Sequence, residues 1–170
     1  MKEIADRLGG SKATLYGYFQ SKEQLFAAAL EQMIAESAEK AFSRLSGEAE
    51  FRTRLLDFAN TYLAVRLTAE AMAVERALIA EGERSDLGER LRQQFIQPHW
   101  QRLAAIVDHE MQGGRLRKSD PMIATWQFRG MIELDLVERR LHGDMTITGH
   151  EVERAASEGV QAFLRAYAPN

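Results

Sequence analysis

The sequence predicts an all-α protein, and three observations carry that reading. Proline is confined to Pro98, Pro121 and Pro169. The long intervals between these prolines are rich in Ala, Leu, Glu, Arg and Gln, the strongest helix formers. Apolar residues in those intervals recur in steps of three and four, the period of one helix face. At 170 residues, 45% hydrophobic and 28% charged, the chain has the balance of a globular protein with a core of its own. The absence of cysteine removes disulfides, thiol nucleophiles and thiolate metal sites together. No run approaches the ~18 apolar residues of a membrane span, and Met1-Lys2-Glu3-Ile4-Ala5-Asp6-Arg7 has no signal-peptide character. A cytosolic protein with no membrane partner is the expectation.

The elements follow from punctuation and spacing. A first helix runs to about Leu8 and stops at Gly9-Gly10; a second follows Ser11 and ends near Phe19. A third opens after Ser21, a good N-cap, and runs through Leu25, Phe26, Ala29, Met33 and Ile34 to about Leu45. From Phe51 to Leu67, Phe51, Leu55, Phe58, Ala59, Tyr62 and Leu63 share one face; after a break at Thr68 another helix reaches Glu81-Gly82. Gly88 makes Asp86 to Phe95 short or irregular. Pro98 suits a first turn, and Trp100, Leu103, Ala104, Val107 and Met111 form a stripe ending at Gly113-Gly114. Asp120-Pro121 starts the next helix, read as continuous from Met122 to Leu141, and the last spans Thr148 to Tyr167.

The last two helices carry more apolar surface than one face. The small residues Ala155, Ala156 and Gly159 permit close helix approach. Pairing across a twofold axis would give a four-helix bundle, with Trp126, Leu134, Val137, Leu141, Val152, Ala156, Gly159 and Phe163 as the expected dimer interface. Periodicity alone leaves open that the same residues finish a monomeric core.

Charge and spacing single out the N-terminal segment. Lys2, Arg7, Lys12 and Lys22 outnumber Glu3, Asp6 and Glu23 there, although the whole chain carries a net charge of -3. Ile4, Ala5 and Leu8 face Leu15 and Phe19 across a glycine turn, which is helix-turn-helix spacing: Ala5 is small where the helices cross, and Gly9 sits at the sharp turn. The second helix then exposes Lys12, Ala13, Thr14, Tyr16, Gly17 and Tyr18, one cation with hydroxyls and small residues that suit a major groove. A plain αα-hairpin with a polar face would show the same pattern.

The run from Ile4 to Leu25, with Ile4-Ala5, the turn Gly9, Ser11-Lys12, Thr14-Leu15-Tyr16, Tyr18-Phe19 and Ser21-Lys22-Glu23-Gln24-Leu25, closely resembles the signature of the TetR family of transcriptional regulators. Gly10 departs from it, since a β-branched residue is usual there. The family also carries a further helix before the position where this chain starts, so the resemblance implies such a helix upstream of Met1. It implies a helix-turn-helix domain over 1–30, a connecting helix to about 45, and an effector-binding and dimerisation domain over 46–170. By matching positions it places Lys12, Ala13, Thr14 and Gly17 at base edges. Tyr16, Tyr18 and Lys22 fall on the phosphate backbone, and Lys2 on a base or phosphate. The partners implied are a pseudo-palindromic double-stranded DNA operator, a small-molecule effector and a second copy of the chain, usually with repression relieved by ligand. Beyond about Leu45, Arg76-Ala77-Leu78-Ile79-Ala80-Glu81, Gly113-Gly114-Arg115-Leu116 and Asp120-Pro121 resemble the AcrR and AefR-type members.

For the effector pocket the sequence offers Phe58, Tyr62, Trp100, Met111, Trp126 and Met131, with Phe95 and Phe128 nearby; apolar walls suit a small hydrophobic ligand. Aromatic stripes at helical spacing are also what an ordinary core shows. Enzyme chemistry finds no support. His109-Glu110-Met111-Gln112-Gly113 puts glycine where a zinc-protease motif needs its second histidine, and neither a nucleophile elbow nor a Gly-rich phosphate loop occurs. No cofactor or metal is expected. The competing reading is a helical small-molecule-binding or scaffold protein that does not bind DNA in this form.

Overall fold

The computed structural model describes residues 22–82 and 86–169, and every regular element among them is a helix. The proposed helix-turn-helix positions Lys2, Lys12, Ala13, Thr14, Tyr16, Gly17 and Tyr18 lie outside the described residues. Helix α1 is Lys22–Phe42, followed by a single 3-10 turn, Ser43–Leu45. Then come α2 (Phe51–Arg66), α3 (Ala69–Gly82) and the short α4 (Leu87–Leu91). A π-helical turn, Arg92–Ile96, runs from α4 into α5 (Gln97–Gln112). The chain closes with α6 (Pro121–Glu133), α7 (Leu136–Leu141) and α8 (Gly149–Ala166).

Local chemistry sets most of the boundaries. The Asp120 side chain accepts a hydrogen bond from the Ile123 backbone N–H at 2.9 Å, with Pro121 in the first turn where its missing N–H costs nothing. Thr148 and Glu151 form a reciprocal capping box at the start of α8. Gly114, at φ +69°, takes the left-handed conformation just past α5 that a side chain would resist.

Helix α2 supplies the middle of the core through Leu55, Phe58, Ala59, Tyr62 and Leu63, all buried, and packs against both α1 and α8; α6 packs against both α5 and α8. A continuous aromatic chain crosses the interior. Phe58 meets Phe42 edge-on at 4.9 Å and Trp100 at 6.0 Å, Phe128 meets Phe163 at 5.0 Å, and Phe163 meets Tyr167 at 4.9 Å. The carboxylate of Glu110 is buried with them, ion-paired to Arg54 at 3.7 Å and to Arg115. Arg54 also donates to the carbonyls of Leu45 (2.8 Å) and Ala49 (3.0 Å), so one guanidinium fastens the turn that follows α1 to α2 and α5.

Two expectations are corrected. The helix read as continuous from Met122 to Leu141 breaks at Leu134, which adopts φ 47° and ψ −126°, a backbone conformation costing on the order of 1–3 kcal/mol for a residue with a side chain. The offsetting contacts lie on α7. Arg140 donates to the Leu67 carbonyl at 3.0 Å, and Arg139 pairs with Asp144 at 2.8 Å and Glu151 at 3.0 Å, none of which periodicity could report.

The second correction concerns the dimer face. Ala156, Gly159 and Phe163 are buried inside this single chain, and a Cβ built on Gly159 would stand 2.5 Å from the Met131 carbonyl oxygen and 2.7 Å from Ile132 Cα. The small-residue stripe therefore brings α8 onto the chain's own α6. Val137 and Val152 are half-buried and pack on the same core, and Leu141 is half-buried. Of the predicted interface residues, Trp126 and Leu134 remain exposed.

Gly159→Ala should lower stability by about 2–3 kcal/mol, because the atoms it meets are backbone. The melting temperature should fall by roughly 4–12 °C for a domain of this size. Gly130→Ala, where no atom lies within 4 Å of the added carbon, should raise it slightly. Thermal denaturation of the two variants makes the comparison.

Candidate effector site

A cavity of about 330 Å³ opens between α1, α2, α3, the π-turn, α5 and α6. Each element offers one face. Helix α1 contributes Met33, Ile34, Ser37 and Ala38 at helical spacing, and α3 contributes Ala71, Val74, Glu75 and Leu78 in the same way. The π-turn brings Arg92 and Ile96 to the wall just before Gln97, His99 and Trp100. Such wide turns are rare and cluster at functional sites.

The aromatic corner is built by three helices. Tyr62 of α2 meets Trp100 of α5 edge-on at 5.3 Å, and Trp100 meets Trp126 of α6 at 5.5 Å. The Arg129 guanidinium lies 5.3 Å from the centre of the Trp100 ring and 5.7 Å from that of Trp126, one helical turn from Trp126 along α6. Glu133, one turn further on, accepts hydrogen bonds from Arg129 at 2.9 Å and from the Tyr62 hydroxyl. Burial pushes that hydroxyl well above the ordinary phenol range and the Glu133 carboxylate adds to the shift, while Arg129 and Arg66 oppose it. Tyr62 is thus a neutral donor at any physiological pH. His99, beside Phe42 at 5.2 Å, is held below the usual imidazole range by burial and by Arg102, with Glu39 opposing. It too is neutral at pH 7.

Of the residues named from sequence, Tyr62, Trp100 and Trp126 line this cavity and Phe58, Met111 and Met131 do not. Phe58 lies behind Tyr62, stacked on it at 5.6 Å and fully buried. Met111 is buried in the core at the end of α5, and Met131 packs half-buried against that core. Phe95 and Phe128 are also absent from the wall. The sequence reading missed His99, Arg129 and the α1 and α3 walls. Arg129 is the one basic residue of α6, and that was the signal for it. No group of three metal-binding side chains occurs among the described residues. A second, more open hollow between α2 and the start of α8, lined by Asn60, Leu67, Arg140 and Val152, has no aromatic side chain in its wall.

Sequence profiles of known families match both parts of the chain. Bacterial regulatory proteins of the tetR family match residues 1–29, and the C-terminal domain described as that of AefR-like transcriptional repressors matches residues 53–169. The chain belongs to the TetR family. Regulators of this family bind operator DNA, dimerise and bind small-molecule effectors, and they are not enzymes. Among solved structures, a protein of Mesorhizobium loti MAFF303099 described as a TetR-family transcriptional regulator is 26% identical with a TM-score of 0.83. The match covers 98% of this chain and 85% of that one. The flavonoid-responsive regulator FrrA is 28% identical with a TM-score of 0.68, covering 100% and 87%. A TetR regulator from Agrobacterium tumefaciens is 25% identical with a TM-score of 0.68, covering 98% and 82%. No curated protein matches the chain. Among the described residues no helix is long and apolar enough to cross a membrane.

Removing the carboxylate at 133 leaves Arg129 without its counter-charge in a mostly buried position, with side-chain exposures of 26% for Arg129 and 15% for Glu133. Glu133→Ala should cost about 1–3 kcal/mol in urea denaturation, and the double variant Arg129→Met/Glu133→Leu should recover most of it, because it removes both charges together.

Proposed function

We propose that this TetR-family protein is an AefR-like repressor, released from its operator when a small hydrophobic molecule occupies the cavity walled by α1 and the Tyr62–Trp100–Trp126 corner. The observation that carries the reading is that Met33, Ile34, Ser37 and Ala38 of α1 are themselves part of the cavity wall. Any occupant therefore presses on the helix that continues from the DNA-binding segment. Support for a hydrophobic effector comes from the apolar wall and from the flavonoid-responsive relative FrrA.

Mechanically, α1 is a lever. Its 21 residues span about 30 Å at 1.5 Å per residue, and Arg54 fastens the turn at its far end through the Leu45 carbonyl. A tilt of about 5° about that end moves the Lys22 end by about 3 Å. In a dimer whose recognition helices must sit roughly 34–36 Å apart, this is enough to disturb register. A coupling of about 1–3 kcal/mol changes operator affinity by roughly 5–150-fold. We assign Lys12, Ala13, Thr14 and Gly17 to base edges, and Tyr16, Tyr18, Lys22 and Lys2 chiefly to phosphates. The second copy we place on the outward face of α6, where Ile123 (53% exposed), Trp126 (38%) and Leu134 (59%) flank the exposed Gly130. Exposed apolar groups at this helical spacing on one face are the surface a twofold partner would cover.

Gel-shift titrations on DNA upstream of the gene, run in increasing salt, test the DNA half. Lys22→Ala should weaken all sequences alike and flatten the salt dependence. Thr14→Ala should relax preference at one operator position by about 1–3 kcal/mol, and equal losses on specific and random DNA would remove its assigned role.

Two further variants separate pocket from interface. Ala71→Trp, pointing bulk into the cavity, should lock operator affinity so that ligands no longer change it, with the dimer intact. At Gly130 an added Cβ meets no neighbouring atom within 4 Å, so Gly130→Arg, its longer side chain directed outward from the exposed face, should leave the fold stable yet sediment as a monomer and lose operator binding. A dimer of unchanged affinity would place the interface elsewhere.

A further inference from the structure

Helix α6 turns its sides to three different surroundings. Ala124, Thr125, Phe128 and Ile132 are buried in the core. Trp126 and Arg129 line the cavity. Ile123, 53% exposed, and Gly130 face outward. At about 100° per residue, Ile123, Gly130 and Trp126 fall within about 60° of one another around the helix, and Arg129 stands about 60° beyond Trp126 on the cavity side. Trp126 is therefore the edge at which cavity wall and outward face meet. Its indole lies 5.5 Å from the Trp100 ring and 5.7 Å from the Arg129 guanidinium, yet 38% of the residue remains open to solvent.

Regulators of this family dimerise. Among the described residues the large exposed apolar side chains are Ile79 on α3, Met145 before α8, and Ile123, Trp126 and Leu134 on α6 or directly after it. Only the α6 face groups more than one of them, so it is there that a second copy of the chain removes most apolar surface from water. Covering that face also covers the open side of Trp126, and with it one edge of the cavity.

We infer that the second copy completes the effector cavity at Trp126, so that a ligand in the cavity and the partner on α6 strengthen each other's binding. This rests on the cavity being the effector site and on the α6 face being the dimer face, and it adds the regulation that joins them. In a lone chain the indole keeps the rotamer freedom of a part-exposed side chain. Whichever of ligand and partner arrives first orders Trp126 and takes water from one side of it; the second finds that ordering done, which makes the coupling positive. By linkage, the factor by which ligand tightens the dimer equals the factor by which dimerisation tightens ligand. Release of the operator then proceeds with the two copies held together, through the tilt of α1 and not through dissociation.

The neutral dye N-phenyl-1-naphthylamine serves as the ligand on the full chain, with its fluorescence reporting binding and sedimentation velocity reporting the dimer. The dye should tighten the dimer by about fivefold or more, and its own affinity should rise by the same factor between protein concentrations below and above the dimer dissociation constant. Gly130→Arg should bind the dye with the weaker, monomer affinity at every protein concentration. Ile123→Ala, on the outward face but outside the cavity wall, should weaken the dimer and keep the factor. Trp126→Leu should bring the factor below about twofold, and Ala71→Trp should abolish dye binding, placing the dye in this cavity. A factor below about twofold in the unmutated chain, a dye that weakens the dimer, or a full factor retained by Trp126→Leu each overturns the coupling while the cavity and the interface stand. Absence of dye binding, or binding that survives Ala71→Trp, overturns the coupling together with the reading of the cavity. A Gly130→Arg protein that still dimerises overturns it together with the reading of the interface.

Discussion

The carboxylate of Glu133 is the constraint on which the interior of this protein turns. It sits at the last turn of α6 and accepts from Arg129 of its own helix and from Tyr62 of α2. The guanidinium it holds lies over two tryptophan rings, which fixes the aromatic corner of the cavity. Because the pair is mostly out of water, neither of its charges is free to recruit a ligand ion. The residue that follows is Leu134, where the backbone is forced into the left-handed half of conformational space and α6 ends. One side chain thus ties the wall of the cavity to the end of α6 and to the exposed apolar face that α6 carries.

A second joint lies at the opposite end of α2. The buried carboxylate of Glu110 pairs with Arg54 and with the exposed Arg115, and Arg54 reaches the carbonyls of Leu45 and Ala49. The turn after α1 is therefore anchored, while the body of α1 forms a wall of the cavity. A rigid helix fixed at one end and touched along its length converts a small displacement at the cavity into a larger one at its other end, and no element in between needs to unfold.

How much of this was legible beforehand depended on the range of the interaction. The helix starts at Asp120-Pro121 and Thr148, the stop at Gly113-Gly114, the break at Thr68 and the irregular stretch after Asp86 are all local, and the sequence showed each of them. So were the core stripes on α2, α5 and α8. The helix drawn through Leu134 and the small residues Ala156 and Gly159 placed on a partner were misjudged for one reason: spacing says which residues share a face and not what that face meets. His99 and the α1 wall escaped notice because a cavity is defined by helices far apart in sequence.

By itself the sequence determined the all-α class, the order and most limits of the helices, and the TetR resemblance over Ile4 to Leu25, because capping, helix propensity, apolar period and a dense local motif are properties of neighbouring residues. Only the tertiary structure decided that α8 crosses α6 at Gly159, that α6 stops at Leu134, and that the charges of Arg66, Arg92 and Arg129 are each cancelled within the chain. It also decided that Tyr62, Trp100, Trp126 and His99 share a cavity with α1. Those outcomes turn on which distant side chains meet and which charges lose water together, and the energies involved come from burial and pairing rather than from any residue's own preference.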